Sequence, residues 1–352
     1  MNILRDILAC AGRRPVVASF HDGSRVLVVP GNGRVIGLYP AEGDANFLWT
    51  NPALAGAVTA QTYFSRPGWA NPGGDRTWLA PEIELFICDL SRIAETYAVQ
   101  PALDPGNWTL SAASDAEVSL ANVTQLRLHR QNREIGVRLG RSVSPAANPL
   151  QGTPAARAGL RYAGYTLTTT LELELQAGEP IRLGIWNLLQ LPQPGVMLIP
   201  TCEATCPQVV FGSLSSAELT VTPTRISWNM APPGGDGKIS IRAAALTGRA
   251  GYLRETGTPG LQDLVVREFA VGAPCEYVDA LWTPPHETGW GFQACCVRNG
   301  AECFNELEYH VPAAVSVAGR NHSRDVSRVW AFRGPSGAIA QAAETLLGTC
   351  RT

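Results

Sequence analysis

Two carboxylates and an imidazole stand at alternate positions late in the sequence, as Glu306, Glu308 and His310. This alternation predicts a β-strand, in which side chains two positions apart lie on the same face. A carboxyl group shielded by aromatic rings can have its pKa raised toward neutrality, and a nearby histidine can exchange a second proton. We therefore predict an acid–base set with Glu308 and His310 as its catalytic residues. The alternative is a solvated strand face that carries ordinary charges.

Residues 68–82 combine two indoles, an amide, a guanidinium and carboxylates around a flexible glycine pair. Sugars present flat C–H faces that pack on aromatic rings, and their hydroxyls hydrogen-bond to planar polar groups. We therefore predict that this segment forms a sugar-binding loop. Its candidate ligand-binding residues are Asn71, Asp75, Arg76, Trp78 and Glu82. In the alternative interpretation the loop is structural, with Arg76 paired to Asp75 or Glu82 and the tryptophans in the core.

A third candidate segment, residues 185–192, places two amides in an otherwise apolar run. These amides, Asn187 and Gln190, follow the pattern of a strand end. Buried polar groups must find hydrogen-bond partners, so the two side chains either bind neighbouring backbone or line a pocket. We include both among the candidate ligand-binding residues.

The elements that must position these residues are mostly strands. The 352 residues are 45% hydrophobic and 16% charged, with 35 Gly and 26 Pro spread along the length. Short β-branched segments at 16–20, 25–29 and 34–39 are separated by strong turn signals, and residues 165–175 alternate at period two. Helical spacing is confined to the opening residues and to 337–347. We predict an all-β sandwich in a single domain, residues 1–352, with short terminal helices.

Charge and hydropathy exclude several classes of function. The formal net charge is −2, and the basic residues, of which Lys238 is the only lysine, form no run that could follow a phosphate backbone. We therefore expect no nucleic-acid partner. No stretch reaches the roughly 18 apolar residues of a membrane span, and we find no export signal. The expectation is a cytoplasmic protein without a membrane partner.

The cysteines do not predict a disulfide framework or a metal centre. Nine cysteines is an odd number, which favours reduced thiols. Two groupings, Cys202 with Cys206 and Cys295 with Cys296 and Cys303, match no CxxC spacing. No glycine-rich phosphate loop opens a helix after a strand. We therefore expect neither a metal nor a cofactor.

The order of these features resembles the galactose mutarotase-like group, which includes the aldose 1-epimerases. The opening strands end in residues 36–40, and residues 46–52 are similar to an early sugar-facing segment of that group. The resemblance implies a large antiparallel β-supersandwich, a substrate-binding role for Arg76, and a general-base role for Glu308 on a strand closed by Pro312. One departure stands at residues 186–190, where the epimerases carry a histidine acid and this chain has none.

These features together predict a carbohydrate-binding protein whose partner is a small-molecule sugar. If it epimerises an aldose at C1, Glu308 takes the anomeric proton and His310 or another acid protonates the ring oxygen. One alternative is a non-catalytic sugar-binding module, because asparagine and glutamine cannot cycle a proton. Another is a glycoside hydrolase or lyase that pairs Glu82 or Glu84 with Glu308.

Overall fold

The computed structural model describes residues 1–231, 235–272, 275–300 and 302–348. Its helices are α1 (Asn2–Cys10), α2 (Ala57–Phe64), α3 (Glu82–Leu85), α4 (Ile93–Thr96), α5 (Pro154–Arg157) and α6 (Ser336–Leu347). Its strands are β1 (Val16–Ser19), β2 (Arg25–Val29), β3 (Arg34–Tyr39), β4 (Asp75–Ala80), β5 (Thr109–Ala113), β6 (Val118–Leu128), β7 (Arg133–Pro145), β8 (Arg161–Leu173), β9 (Arg182–Pro192), β10 (Val196–Pro200), β11 (Gln208–Phe211), β12 (Leu219–Thr222), β13 (Arg225–Asn229), β14 (Gly237–Arg242), β15 (Arg249–Glu255), β16 (Leu261–Glu268), β17 (Trp290–Asn299), β18 (Glu302–His310), β19 (Ala314–Val315) and β20 (His322–Pro335).

The strands form two antiparallel sheets. The first runs β1-β2-β3-β4-β9-β18-β17-β14-β11, and β19 pairs with β9. The second runs β12-β13-β10-β15-β16-β20-β8-β7-β6-β5. A hydrophobic core lies between them, with Val35 and Ile185 from the first sheet and Leu139 and Leu167 from the second in one cluster. The two layers confirm the predicted all-β sandwich, because each sheet buries one apolar face against the other.

Burial along the strands shows which of them have both faces covered. In β6 and β7 buried positions largely alternate with more accessible ones, as expected for a sheet with one face in the core. In β9 every position from Leu183 to Leu191 is buried. One face of β9 therefore packs against the second sheet, and the other lies beneath further side chains of the chain.

Several sequence predictions are confirmed in detail. The three opening segments form β1, β2 and β3, and the helices expected at the two ends of the chain form as α1 and α6. One prediction is wrong. Residues 75–80, expected within a loop, form the inner strand β4. Strand β4 has few β-branched residues, so its pairing comes from the flanking strands rather than from its own propensity.

Two glycines allow β4 to enter the sheet. Gly73 and Gly74 both have positive φ, at 103° and 81°, a conformation that residues with a Cβ rarely adopt. A Cβ on Gly73 would overlap the carbonyl oxygen of Trp49, and one on Gly74 would overlap that of Val35. The glycine pair that suggested a flexible loop is therefore a close-packed entry into a strand.

Two further predictions concern membranes and cysteines. Within the described ranges, no helix has the length and apolarity needed to cross a bilayer. The eight described cysteines are free thiols, and Cys350 lies outside the described residues.

Candidate functional site

The first sheet brings the charged strand residues together on its outer face. Strand register places Arg76 beside Leu188, and Glu306 beside both Gln190 and Cys295. Lys238 lies beside Cys295 on the next strand. Because alternate residues share a face, β4, β9, β18, β17 and β14 contribute one continuous polar floor.

Aromatic side chains wall a cavity above this floor. The cavity has a volume of about 410 Å3, within the range of small-molecule pockets. The aromatic residues that line it come from strands, from loops and from the position just after helix α4. They are Trp69, Trp78, Tyr97, Trp186, Phe211, Trp282 and Phe304. Trp69 is 39% exposed and stands at the mouth, whereas Trp78 and Trp186 are buried beneath it.

Arg76 and Glu306 form a buried ion pair on one side of the floor. The Nη2 of Arg76 lies 2.8 Å from Oε1 of Glu306, which also accepts a hydrogen bond of 3.1 Å from Nε2 of Gln190. The guanidinium carbon is 4.2 Å from the ring centre of Trp78, close enough for a cation–π contact. Arg76 therefore pairs across the sheet and not with Asp75 or Glu82.

Lys238 connects two further carboxylates on the other side of the floor. Its Nζ lies 3.5 Å from Oε2 of Glu82 and 3.4 Å from Oε2 of Glu308. Trp282 and Tyr97 donate hydrogen bonds of 2.9 and 2.8 Å to Glu82. These contacts hold Glu82 at the start of α3 against residues far away in sequence.

Glu308 is fully buried, and its two oxygens have different surroundings. Oε2 accepts a hydrogen bond of 2.9 Å from Nε1 of Trp186. Oε1 has no hydrogen-bond partner among the described residues. Burial raises the pKa of Glu308 to about 8; Lys238 opposes this shift, and the carboxylates of Glu306 and Glu82 add to it. A group of this kind can both hold and release a proton near neutral pH.

His310 shares the face of Glu306 and Glu308, as predicted, but it is buried and does not line the cavity. Its ring stacks on Trp186 with 5.4 Å between centroids, and its Nε2 is 3.6 Å from Oδ2 of Asp279. Burial lowers the pKa of His310 to about 3, with the ammonium of Lys238 adding to the effect. The imidazole is therefore neutral near pH 7 and is a poor proton donor.

Two predicted ligand-binding residues lie on the opposite face of their strands. Asp75 binds Arg141, Tyr165 and Arg267 of the second sheet, at 2.8, 2.5 and 2.7 Å. Asn187 donates a hydrogen bond of 2.7 Å to the hydroxyl of Tyr309. Both are completely buried between the sheets, so the interpretation of them as cavity residues is corrected. The physical reason is the period of two: Asp75 and Arg76 are neighbours and must point in opposite directions.

The remaining predicted residues divide between the cavity and its surroundings. Arg76, Trp78 and Glu82 line the cavity. Gln190 supports it through Glu306. Asn71 lies in a separate buried network, where its side-chain oxygen accepts a hydrogen bond of 3.3 Å from Arg34.

Glu84, which the hydrolase alternative pairs with Glu308, points away from this floor. Its Oε2 accepts hydrogen bonds from the backbone amides of Arg130 and Gln131. Glu84 therefore cannot form a carboxylate pair with Glu308 in this arrangement, and that version of the alternative is corrected.

One cluster on the floor has donor atoms suited to a metal ion. Ligand atoms of Cys295, Glu306 and Glu308 lie within 4.8 Å of one another. The same carboxylates already pair with Arg76 and Lys238. A divalent cation would have to displace or approach these two positive charges, which makes the donor set a poor fit for a metal. Burial also raises the pKa of the Cys295 thiol well above its usual range, which disfavours the thiolate that a metal would bind.

Sequence reasoning did not identify Lys238, Tyr97 and Trp282 as cavity residues. All three side chains contact Glu82, from which Lys238, Tyr97 and Trp282 are separated by 156, 15 and 200 residues in the sequence. The sequence did contain one signal, because Lys238 is its single lysine.

Solved structures provide the comparison with known proteins. A galactose mutarotase-like protein from Lactobacillus casei ATCC 334 matches with a TM-score of 0.50 and 11% identity, over 90% of this chain and 99% of that one. A candidate aldose 1-epimerase from Escherichia coli K12 matches with a TM-score of 0.50 and 12% identity, over 91% and 99%. A protein from Synechocystis sp. PCC 6803 matches with a TM-score of 0.50 and 11% identity, over 88% and 92%.

No protein-family model and no curated protein sequence matches this chain. The structural matches cover nearly the whole of each neighbour, at identities where likeness establishes fold alone. The resemblance predicted from the sequence is therefore confirmed at the level of architecture. This chain has the β-sandwich fold of the galactose mutarotase-like proteins.

Proposed function

We propose that this protein binds a monosaccharide-sized carbohydrate in the cavity on the outer face of the first sheet. The single observation that carries this proposal is the composition of the cavity: aromatic walls over a floor of buried, paired charges. Aromatic rings suit the C–H faces of a pyranose, and fixed carboxylate, guanidinium and ammonium groups suit its hydroxyls. The fold shared with sugar-related neighbours is consistent with this ligand class.

The binding proposal is tested with a panel of monosaccharides and a matched pair of variants. Trp69→Ala removes an exposed indole at the cavity mouth, and we expect it to weaken the affinity for the best sugar about tenfold, which corresponds to about 1.4 kcal/mol. Leu110→Ala removes an exposed apolar side chain on β5, at the edge of the second sheet, and serves as the control. Calorimetric titration measures both. Equal affinities in the two variants would remove the cavity from consideration.

A second candidate function is C1 epimerisation of an aldose, with Glu308 as the general base. The observation that favours it is the buried Glu308 carboxyl, whose pKa is raised to about 8 and whose Oε1 has no hydrogen-bond partner among the described residues. In this reaction Glu308 takes the proton of the anomeric hydroxyl as the ring opens. A non-catalytic module would bind the sugar and leave its anomeric ratio unchanged.

Polarimetry of freshly dissolved sugars separates these candidates. Wild type should speed the approach to anomeric equilibrium, and Glu308→Gln should lose that acceleration about 10²-fold or more. Glu84→Gln makes the same chemical change at a carboxylate that binds the backbone of Arg130 and Gln131, away from the polar floor, and should keep the wild-type rate. Binding without acceleration by the wild type would favour the non-catalytic module.

A further inference from the structure

The sequence contains a single lysine, Lys238, and its side chain lies in the cavity floor. The chain has 28 lysine and arginine residues, and every one except Lys238 is an arginine, including those in the buried ion pairs of Asp75, Asp104 and Glu306. Arginine cannot give up its proton in proteins, whereas a buried lysine can. If the floor needed only a positive charge, arginine would serve there as it does in the rest of the protein.

Lys238 stands beside the carboxylate that we assign as the base. Its Nζ lies 3.4 Å from Oε2 of Glu308 and 4.5 Å from the ring centre of Trp186. It lines the cavity and is only 4% exposed. Glu82 binds the same ammonium at 3.5 Å from its other side. A proton donor and a proton acceptor therefore lie next to each other on the same floor.

We propose that Lys238 is the general acid of the epimerisation, an inference that rests on the C1 chemistry proposed above. Both reacting oxygens of a cyclic aldose, the anomeric O1 and the ring O5, are bonded to C1. An acid and a base that lie side by side can reach both oxygens at once.

The proton transfers balance without any other reagent. The Glu308 carboxylate removes the O1 proton, the released electron pair forms the C1=O1 bond, and the C1–O5 bond breaks. Lys238 donates a proton to O5 and becomes a neutral amine, and the product is the open-chain aldehyde. After rotation about C1–C2, the amine takes the O5 proton back as O5 attacks the other face of C1. Protonated Glu308 then returns its proton to O1.

The neighbouring groups favour this assignment over the histidine. Near neutral pH His310 is uncharged, and its ring nitrogens have no hydrogen-bond partner in the described part of the chain. For Lys238, burial by itself would lower the pKa, but Glu308 and Glu82 hold it above its usual value. The ammonium is thus present whenever Glu308 is ionised, and it holds its proton firmly at that stage. When Glu308 takes up the O1 proton it loses its charge and no longer raises the pKa of Lys238, so transfer from Nζ to O5 becomes easier as the base accepts its proton.

The decisive variant is Lys238→Arg, which keeps the positive charge between Glu82 and Glu308 but supplies no transferable proton. We expect its epimerisation rate to fall about 10²-fold or more, with sugar affinity within a few-fold of wild type. Thermal unfolding of the variant verifies that it is folded. A Lys238→Arg enzyme with the wild-type rate would overturn the role as acid, because charge alone would then suffice.

A second variant keeps the proposal testable if arginine disturbs the floor. Lys238→Ala opens a gap that small cations can enter, and added methylammonium, which carries a transferable proton, should restore part of the lost rate. Tetramethylammonium carries the same charge without such a proton and should not. Equal effects of the two cations would contradict the proposal.

An inactive wild type would defeat the epimerase function itself, whereas an active wild type with an active Lys238→Arg would defeat this inference alone.

Discussion

Glu306 and Glu308 are two positions apart on the same face of β18 and have different partners. Glu306 lines the cavity, whereas Glu308 is completely buried beside it. Glu306 pairs with the Arg76 guanidinium at 2.8 Å. Glu308 shares its lysine with Glu82 and is completely buried. Burial and the nearby carboxylates raise the pKa of Glu308 to about 8, so its ionisation changes near neutral pH.

The pH dependence of epimerisation follows from this ionisation. A general base must be deprotonated, so we expect the rate to rise as the pH increases through about 8 and to level off above it. Polarimetry at saturating and limiting sugar measures the profile. A rate that falls across the same range would identify Glu308 as the acid instead.

The Glu306→Gln variant tests whether the neighbouring carboxylate of Glu306 helps to raise the pKa of Glu308. The groups that act on Glu308 from the surrounding strands and loops are Lys238, Glu306, Glu82, Arg76 and Cys295. Removing the carboxylate of Glu306 removes one like charge and frees the Arg76 guanidinium, so the rising limb should move to lower pH. An unmoved limb would mean that Glu306 does not contribute to the raised pKa of Glu308.

At the scale of the element, strand β4 links the cavity to the core. Arg76 and Trp78 point to the cavity floor, while Asp75 and Thr77 point between the sheets. The pairing register of β4 with β9 therefore sets the positions of both the cavity residues and the core residues of this strand. This register depends on the close approach of Gly74 to the backbone at Val35.

Alanine substitutions at two glycines separate steric overlap from backbone strain. Gly74→Ala places a Cβ against the Val35 carbonyl at a positive φ, whereas Gly68→Ala has a positive φ of 94° in open space. We expect Gly68→Ala to cost about 1–2 kcal/mol in the free energy of unfolding. Gly74→Ala should cost more and should also weaken sugar binding, because Arg76 moves with the strand. Denaturant titration and calorimetry measure the two effects, and equal costs would contradict the overlap.

At the scale of the whole molecule, a buried ion cluster joins the two sheets. Asp75 of the first sheet binds Arg141 and Arg267 of the second, and all three side chains are almost completely buried. Burial alone would raise the pKa of Asp75, but the two guanidiniums hold it below the ordinary value of an aspartate. Removing one partner of such a cluster leaves the others uncompensated in the interior.

The cluster predicts a loss of stability in acid. Because the native pKa of Asp75 is depressed, its contribution is fully present above the unfolded value of about 3.9 and is lost as the pH falls through the lower native value. Asp75→Asn should reduce the free energy of unfolding by about 3–5 kcal/mol near neutral pH and should weaken its dependence on acid. Asp89→Asn, in an exposed pair with Arg92, should have a much smaller effect because solvent screens that pair. Denaturant unfolding at several pH values measures both, and similar losses in the two variants would contradict the model of a buried cluster.

The sequence by itself determined many of the strands, though not β4, and which residues of a strand share a face. Glu306, Glu308 and His310 could be placed together because strand side chains repeat at period two, and turn signals separated the opening strands. The same period could not show which face of a strand borders the cavity and which packs between the sheets. Asp75 and Asn187 were expected in the cavity, yet they lie between the sheets, because the choice depends on what the second sheet supplies opposite them.

Tertiary structure alone decided the composition of the cavity. Glu82, Lys238 and Trp282 meet there from distant parts of the chain, and no local pattern encodes that meeting. It also decided protonation, since the pKa values of Glu308 and His310 move in opposite directions through burial of the charged form. Local spacing fixes the direction of a side chain, whereas its electrostatic surroundings arise only when remote strands pair.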